Sequence, residues 1–283
     1  MKKIGFLDDS LDNFHADTFL RLSRESWEKK GWKVDCAMGI NQEESRAWAK
    51  ANNVRYADGI GEFQNCDAIM VLAPGNPGAH LSLVESAVQF GVPVYVDKPF
   101  APDFESAKKI FSVADSHNVP LITTSALRCA PALTEFIANE GRDKITHIRT
   151  WCGSGEFEEY AIHAVEMMVS TMGAQIEQCM HLNTAGQRQI HARFSGGRTG
   201  SVFFHPNSAT HYQAMISIPG ETRHVPCGGP GMFEALGDLV LEFFVTRKEV
   251  VDRHESLAIR KLLDFALSSC EQGRYFDFES FKP

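Results

Sequence analysis

Through about residue 125 the sequence alternates short apolar runs with longer stretches of helical spacing, and this alternation constrains the fold more than any other feature. Such a pattern belongs to βαβ units, in which parallel strands are joined by crossover helices that cover both faces of one sheet. Strands are expected at residues 3–7, 32–38, 67–72, 94–96 and 121–124, with helices at 13–29, 42–52, 79–90 and 104–117. The second helix opens on Glu43 and Glu44, which suit a helix N-terminus, and the third ends at Gly91, a residue fitted to a left-handed cap. Five strands so arranged make a doubly wound parallel sheet.

After Arg128 the texture changes. Strand-like runs at 146–152, 177–183, 189–194, 199–204 and 211–218 follow one another with fewer helices between them, which an antiparallel, largely meandering sheet explains most simply. Helices are expected at 232–246 and 255–272. The latter carries Leu257, Ile259, Leu262, Leu263, Phe265, Ala266 and Leu267 at near-helical spacing. The fold class expected is therefore α/β, with a doubly wound domain at 1–125 and a C-terminal α+β domain at 126–283 built on a largely antiparallel open sheet.

Composition narrows the function. A formal charge of -8 over 283 residues argues against nucleic acid or an anionic membrane surface as partner, since both demand a basic patch. The apolar run from Ile4 to Leu7 is cut by Asp8 and Asp9, far short of a secretion signal, and no stretch nears 18 apolar residues, so a cytoplasmic protein is expected. The seven cysteines (36, 66, 129, 152, 179, 227 and 270) form no CxxC pair and read as buried thiols. A small-molecule substrate is the expectation that remains.

One ordered set of residues is more specific. The strand at 67–72 leads to Pro74 and Asn76, His80 opens a helix, Gly91 ends it, and the next strand closes on Asp97-Lys98-Pro99. Further along stand Arg128, Pro131, the pair Glu159 and His163 four residues apart, and the terminal helices. The set resembles the Gfo/Idh/MocA family of glucose-fructose oxidoreductase and inositol dehydrogenase-like enzymes, with Asp97 where that family usually has Glu. The resemblance implies a Rossmann-like N-terminal domain, NAD or NADP as cofactor, and hydride transfer between nicotinamide and a sugar-like or polyol alcohol. It implies that Lys98 polarises the substrate hydroxyl, that His163 handles its proton and that Glu159 orients His163, with Lys98, Arg128 and His163 contacting substrate. Asp8, Ser10, Asn13, Pro74, Asn76, His80 and Asp97 fall at cofactor-side positions. A homodimer or homotetramer paired through the open C-terminal sheet is implied in the same way.

In one place the sequence departs from that pattern. A GxGxxG turn lets backbone amides approach a pyrophosphate at a helix N-terminus, and Asp8, Ser10 and Asn13 occupy its three glycine positions. Asp8 and Asp9 then stand where a doubly charged group should arrive. The position for an acidic ribose ligand falls near Gly39, with Asp35 too early. Two further readings therefore stay open. One is a non-redox sugar-binding or regulatory descendant that no longer binds the dinucleotide. The other is a metal-assisted lyase or isomerase built on Glu159, His163 and Glu166 with His191, His205 and His211, although their spacing fits no recognised metal motif and no metal is expected. Plainer roles are equally open. Asp12 or Asn13 serves as a helix cap, His80 packs at a helix start, Arg128 links domains, and Gly196-Gly197 and Gly228-Gly229 form turns.

Overall fold

The computed structural model describes every residue except Ser154, Ala185, Asn207 and Pro283. Its chain divides into two compact units, Met1–Thr124 with Gly237–Val251, and Ser125–Leu236 with Asp252–Pro283.

The first unit runs β1 (Lys2–Asp8), α1 (Phe14–Leu22), β2 (Trp32–Gly39), α2 (Gln42–Ala51), β3 (Arg55–Tyr56), β4 (Ala68–Val71), α3 (His80–Ala87), β5 (Val94–Val96), α4 (Phe104–Ser116) and β6 (Leu121–Thr123). All pairs are parallel, in the order β3-β2-β1-β4-β5-β6. The strands are apolar along their length because helices cover both faces: Ile4, Phe6, Ile69, Met70, Val94 and Val96 are fully buried. The order reverses between β1 and β4, which sets the topological switch point there, and open α/β sheets bind ligands outside the carboxyl ends of strands at that point.

Two expectations are corrected here. There are six strands, not five, because β3 is a two-residue edge strand with Arg55 exposed, too short and polar for periodicity to reveal. The single helix expected at 13–29 is α1 followed by a π-helical turn, Ser23–Trp27, and a 3-10 turn, Glu28–Lys30, closed by left-handed Gly31. Ser23 is drawn inward to accept the Val34 amide at 3.0 Å, and Trp27 is buried beside it.

The second unit contains α5 (Pro131–Glu140), β7 (His147–Gly153), α6 (Phe157–Met172), β8 (Ile176–Thr184), β9 (Gln187–Phe194), β10 (Arg198–His205), β11 (Gln213–Ile218), β12 (Glu221–Pro226), the start of α7 (Met232–Thr246), α8 (Arg253–Leu267) and β13 (Phe276–Asp277). Its seven strands lie in the order β12-β11-β7-β10-β9-β8-β13. Every neighbour is antiparallel except β7 with β10, whose parallel pairing corrects the expected meander. β12 and α5 lay outside the sequence reading, and α8 ends at Leu267, five residues earlier than expected.

Helix α6 is buried on nearly every side, as an apolar helix laid over a sheet must be. Gly200 lets it come close: a Cβ there would sit 2.5 Å from Met168 Sδ. Alternation along β7 and β10 sends Ile148, Thr150, Cys152, Val202 and Phe204 inward, and His147, Arg149, Trp151, Phe203 and His205 to the opposite face. Residues Gly237–Val251, most of α7 and the segment after it, belong to the first unit. Gly237 passes so near the π-helical turn that a Cβ would lie 3.0 Å from Leu22 Cδ1, and Phe244 stacks on Trp32 with centroids 5.9 Å apart.

Candidate active site

At the switch point the turn from β1 to α1 is filled by its own side chains. Asp8 is buried at the end of β1, where its Oδ1 accepts the amides of Asp9 at 2.7 Å and Ala73 at 3.0 Å. Its Oδ2 accepts from Asn13 Nδ2 at 2.9 Å. Burial pushes this carboxyl up to about 7, against the pull of the Asn13, Asp9 and Ala73 donors. The sequence-based objection, a carboxylate facing an incoming pyrophosphate, is thereby corrected for Asp8: its group is turned inward and is about half protonated near neutrality.

Asn13 is the N-cap of α1, and its Oδ1 accepts the amides of His15 and Ala16, each at 2.9 Å. The Leu11 amide is taken by Ser45 Oγ at 3.2 Å, and Ser10 Oγ donates to Glu44 at 2.7 Å. The donors that glycines would leave open to a ligand are thus largely committed within the chain. Nor does an acid close β2: a Cβ on Gly39 would lie 2.0 Å from Ser45 Oγ, while Asp35 pairs with Lys3, Lys33 and Arg55.

The turn after β4 holds Ala73 at φ 37, half-buried Pro74 and exposed Asn76. His80 lies fully buried at the head of α3, with Nδ1 2.9 Å from the Phe100 carbonyl and Nε2 2.9 Å from the Leu72 carbonyl. Both ring nitrogens are therefore spent on backbone, which makes His80 a clamp on the loops beside the switch point.

Asp97 and Lys98 follow β5 and are both buried, Lys98 at 7% exposure, and the Lys98-Pro99 bond is cis. Asp97 Oδ2 lies 2.5 Å from Nδ1 of His15, a residue of the first turn of α1. Tyr95 Oη stands 3.1 Å from Asp97 Oδ1. Burial opposes ionisation of Asp97, but the His15 imidazole and the Lys98 ammonium outweigh it and hold this carboxyl below the usual range. His15 carries no sequence signature, since only the fold brings it to Asp97.

In the second unit His163 sits buried on α6, with Nδ1 2.8 Å from Ser125 Oγ. The Ser125 amide donates to Glu166 Oε2 at 2.8 Å, and Arg128 Nε to Glu166 Oε1 at 2.9 Å. Arg128 also meets Glu255, which takes Arg142 at 3.0 Å. Burial would lower the Arg128 pKa, yet Glu166 and Glu255 raise it, so the guanidinium is locked in an ionic network. Glu159 is exposed on α6, and the carboxylate linked to His163 through Ser125 is Glu166. His191 and His205 lie on the sheet face away from the one α6 covers, and no group of three or more His, Cys, Asp or Glu among the described residues could hold a metal ion.

The parallel sheet with its switch point between β1 and β4 is a doubly wound, Rossmann-like fold, and the second unit is a helix-covered mixed sheet. Residues 15–125 match the model of the Gfo/Idh/MocA family, an oxidoreductase family with an NAD-binding Rossmann fold. The myo-inositol dehydrogenase Hyg17 of Streptomyces leeuwenhoekii is 39% identical over 67 residues, covering 23% of this chain and 20% of that relative. The matched stretch is thus a fifth of the relative's length. Scyllo-inositol dehydrogenase from Lactobacillus casei, solved with NAD(H) and scyllo-inositol, superposes with a TM-score of 0.80 at 15% identity, covering 99% of this chain and 100% of that one. An oxidoreductase from Agrobacterium radiobacter, in complex with NAD+, L-tartaric acid and magnesium, gives 0.78 at 14% identity over 99% of both chains. At these identities the likeness is one of fold.

Proposed function

We propose that the protein is an NAD(P)-dependent oxidoreductase acting on a sugar-like or polyol alcohol. The observation that carries this reading is the buried Lys98 at the carboxyl end of β5, beside the switch point of a unit that matches an NAD-binding family. When bound, the cofactor supplies the hydride acceptor. Pro74, Asn76 and Lys98 would flank its nicotinamide, and Ser10, Asn13 and the start of α1 its pyrophosphate. An inward, half-neutral Asp8 makes that approach less repulsive than the sequence suggests.

Lys98 polarises the reacting hydroxyl through its ammonium group. In the second unit, Ser125 Oγ fixes the orientation of His163. The inositols handled by the relatives named above are the first substrates to try. Titration of nicotinamide fluorescence with NADH and NADPH tests the reading and chooses between the two cofactors; no change at millimolar nucleotide defeats it.

A second reading has its own support. Because Asn13 already occupies the His15 and Ala16 amides, the carboxyl edge of the first sheet is also suited to a descendant that binds a sugar without a dinucleotide. Saturable inositol binding with no nucleotide binding selects it. No described helix is long and apolar enough to cross a membrane, and the seven cysteines are unpaired thiols, which supports a cytoplasmic setting. The half-exposed sheet face with Trp151, Phe203 and Arg149 supports pairing with a second copy as homodimer or homotetramer.

A further inference from the structure

We infer that Cys36 and Cys66 form an oxidation site, at which a hydroperoxide converts the two thiols to a reversible disulfide that staples β2 to the segment leading into β4 across the central strand β1.

The sheet order places β1 between β2 and β4, and strands two places apart ordinarily hold their side chains out of reach of one another. Here two of them meet: the Cys36 and Cys66 sulfurs lie 3.7 Å apart. Gly5 of β1 is the reason. It is the register partner of Cys36, just past a register shift between Ile4 and Gly5. A Cβ on Gly5 would lie 2.4 Å from Phe63 Cδ1 and 3.1 Å from Cys66 Sγ, so the bare backbone leaves the space in which the ring and the thiol cover β1. Cys66 itself follows the 3-10 turn Ile60–Asn65 in extended backbone, just ahead of β4. A disulfide requires sulfurs about 2.05 Å apart, so from 3.7 Å the thiols must close by roughly 1.7 Å. Cys66 lies outside the strands and supplies that movement, while Cys36 stays in β2.

The two thiols are not equivalent. Cys36 is fully buried and Cys66 retains 6% exposure, so an oxidant reaches Cys66 first. The hydrogen bond from Cys36 holds the Cys66 thiol below its ordinary value, and Arg55 and Lys3 add to that pull against burial and the Asp35 carboxylate. The same bond, together with burial, pushes the Cys36 thiol up. In the first step the Cys66 thiolate attacks a peroxide oxygen: an S–O bond forms, the O–O bond breaks, and the departing oxygen takes a proton to leave as water or an alcohol. Cys36 then attacks the sulfur of the sulfenic acid. The S–S bond forms, the S–O bond breaks, and the Cys36 proton leaves with the hydroxide as water. Two electrons pass from the sulfurs to the peroxide, and a thiol reductant returns them. The closed loop contains α2 and β3, so the bond restricts the unfolded chain over a whole βαβ segment.

The test treats the full chain with graded hydrogen peroxide, digests it without reductant and identifies linked peptides by mass spectrometry. The expected product is a Cys36–Cys66 linked peptide, lighter by two hydrogen atoms and separated by dithiothreitol, in a protein whose melting temperature is raised by roughly 5 °C. No linkage, linkage confined to other cysteines, or an unchanged or lowered melting temperature of the linked protein overturns the inference. The order of attack has its own readout. Cys36→Ala should accumulate Cys66 sulfenic acid, which dimedone labels, whereas Cys66→Ala should leave Cys36 unlabelled; equal labelling of the two variants overturns the assignment of Cys66 as the thiol attacked first. Should either variant fail to fold, the linked peptide of the unsubstituted chain still decides whether the pair is an oxidation site.

Discussion

The backbone amide of Ala73 donates to Asp8 Oδ1 at 3.0 Å, so a buried carboxyl group ties the turn after β4 to the end of β1. That group holds its proton up to about 7 in the folded chain, against 3.8 for an unperturbed Asp. Between those values the folded chain binds more proton than the unfolded one, so this residue's contribution to stability falls as pH rises from about 4 to about 7. The shift corresponds to about 4 kcal/mol at most, at roughly 1.4 kcal/mol per pH unit. Asp8→Asn cannot ionise and should remove this slope. Denaturant unfolding of both proteins from pH 4.5 to 7.5 should show the variant gaining on the wild type as pH rises; a constant difference contradicts the assignment.

Asn13 governs whether the start of α1 can serve a ligand. Its Oδ1 covers the amides of His15 and Ala16, and its Nδ2 reaches Asp8 and the Ser10 carbonyl. Asn13→Gly should cost about 1 kcal/mol in stability, chiefly through the lost bond to Asp8, since glycine is itself a tolerable N-cap. It should also uncover two amides at the positive end of the helix and tighten NADH by about fivefold, as one net hydrogen bond allows. Fluorescence titration reads the affinity, and weaker NADH binding would show that Asn13 is itself a ligand.

Much of the first unit was legible because buried parallel strands announce themselves. Ile4 to Leu7 and Ala68 to Val71 are continuous apolar runs, and both lie in the centre of the sheet. The polar edge was not. β12 reads Glu-Thr-Arg-His-Val-Pro and turns only Val225 inward, so alternation is hidden at the sheet's border. The parallel β7–β10 pair was invisible for another reason, since nothing in either run encodes which neighbour it finds. The site divides in the same way. Lys98, Asp97 and His163 were reached through ordered motifs, whereas His15 and Ser125 gain meaning only from partners far along the chain. The carboxylate that Ser125 links to His163 is Glu166, seven residues on from the exposed Glu159, because periodicity places a side chain on a face and leaves its partner open.

His80 spans two backbone carbonyls, those of Leu72 and Phe100, from a fully buried position. Replacing it by Phe preserves bulk but removes both ring-nitrogen contacts. A buried polar group deprived of its partner costs about 1–3 kcal/mol, so His80→Phe should lose an amount of that order in unfolding free energy. His80→Gln, which can reach one carbonyl, should recover part of the loss; equal losses in the two variants would show that ring packing matters more than the bonds.

Arg128 is the hinge of the ionic network in the second unit, where it meets both Glu166 and Glu255. Arg128→Met would take the shared guanidinium from two buried carboxylates, Glu255 keeping Arg142 and Glu166 the Ser125 amide, and should cost about 3 kcal/mol. Adding Glu166→Gln removes the buried charge that Arg128 balanced there, so the double variant should be more stable than Arg128→Met alone. Strict additivity in this cycle would mean that the groups do not act as a network.

The outer face of the second sheet offers the last test. Arg149 lies over the Phe203 ring at 5.1 Å, and Trp151 is stacked on His224 with centroids 6.3 Å apart, so this face is broad, aromatic and partly exposed. Aromatic side chains with Arg beside them are the composition of interface centres, where single residues carry much of the binding energy. Burial, then the charge of Arg149, lowers the pKa of His147 and His191, so both rings are neutral at pH 7 and add no repulsion between two copies. If this face pairs subunits, Trp151→Glu places a charge at its centre and should shift sedimentation of the purified protein from dimer or tetramer to monomer. Trp151→Phe should keep the assembly, and an oligomer that survives Trp151→Glu would move the interface elsewhere.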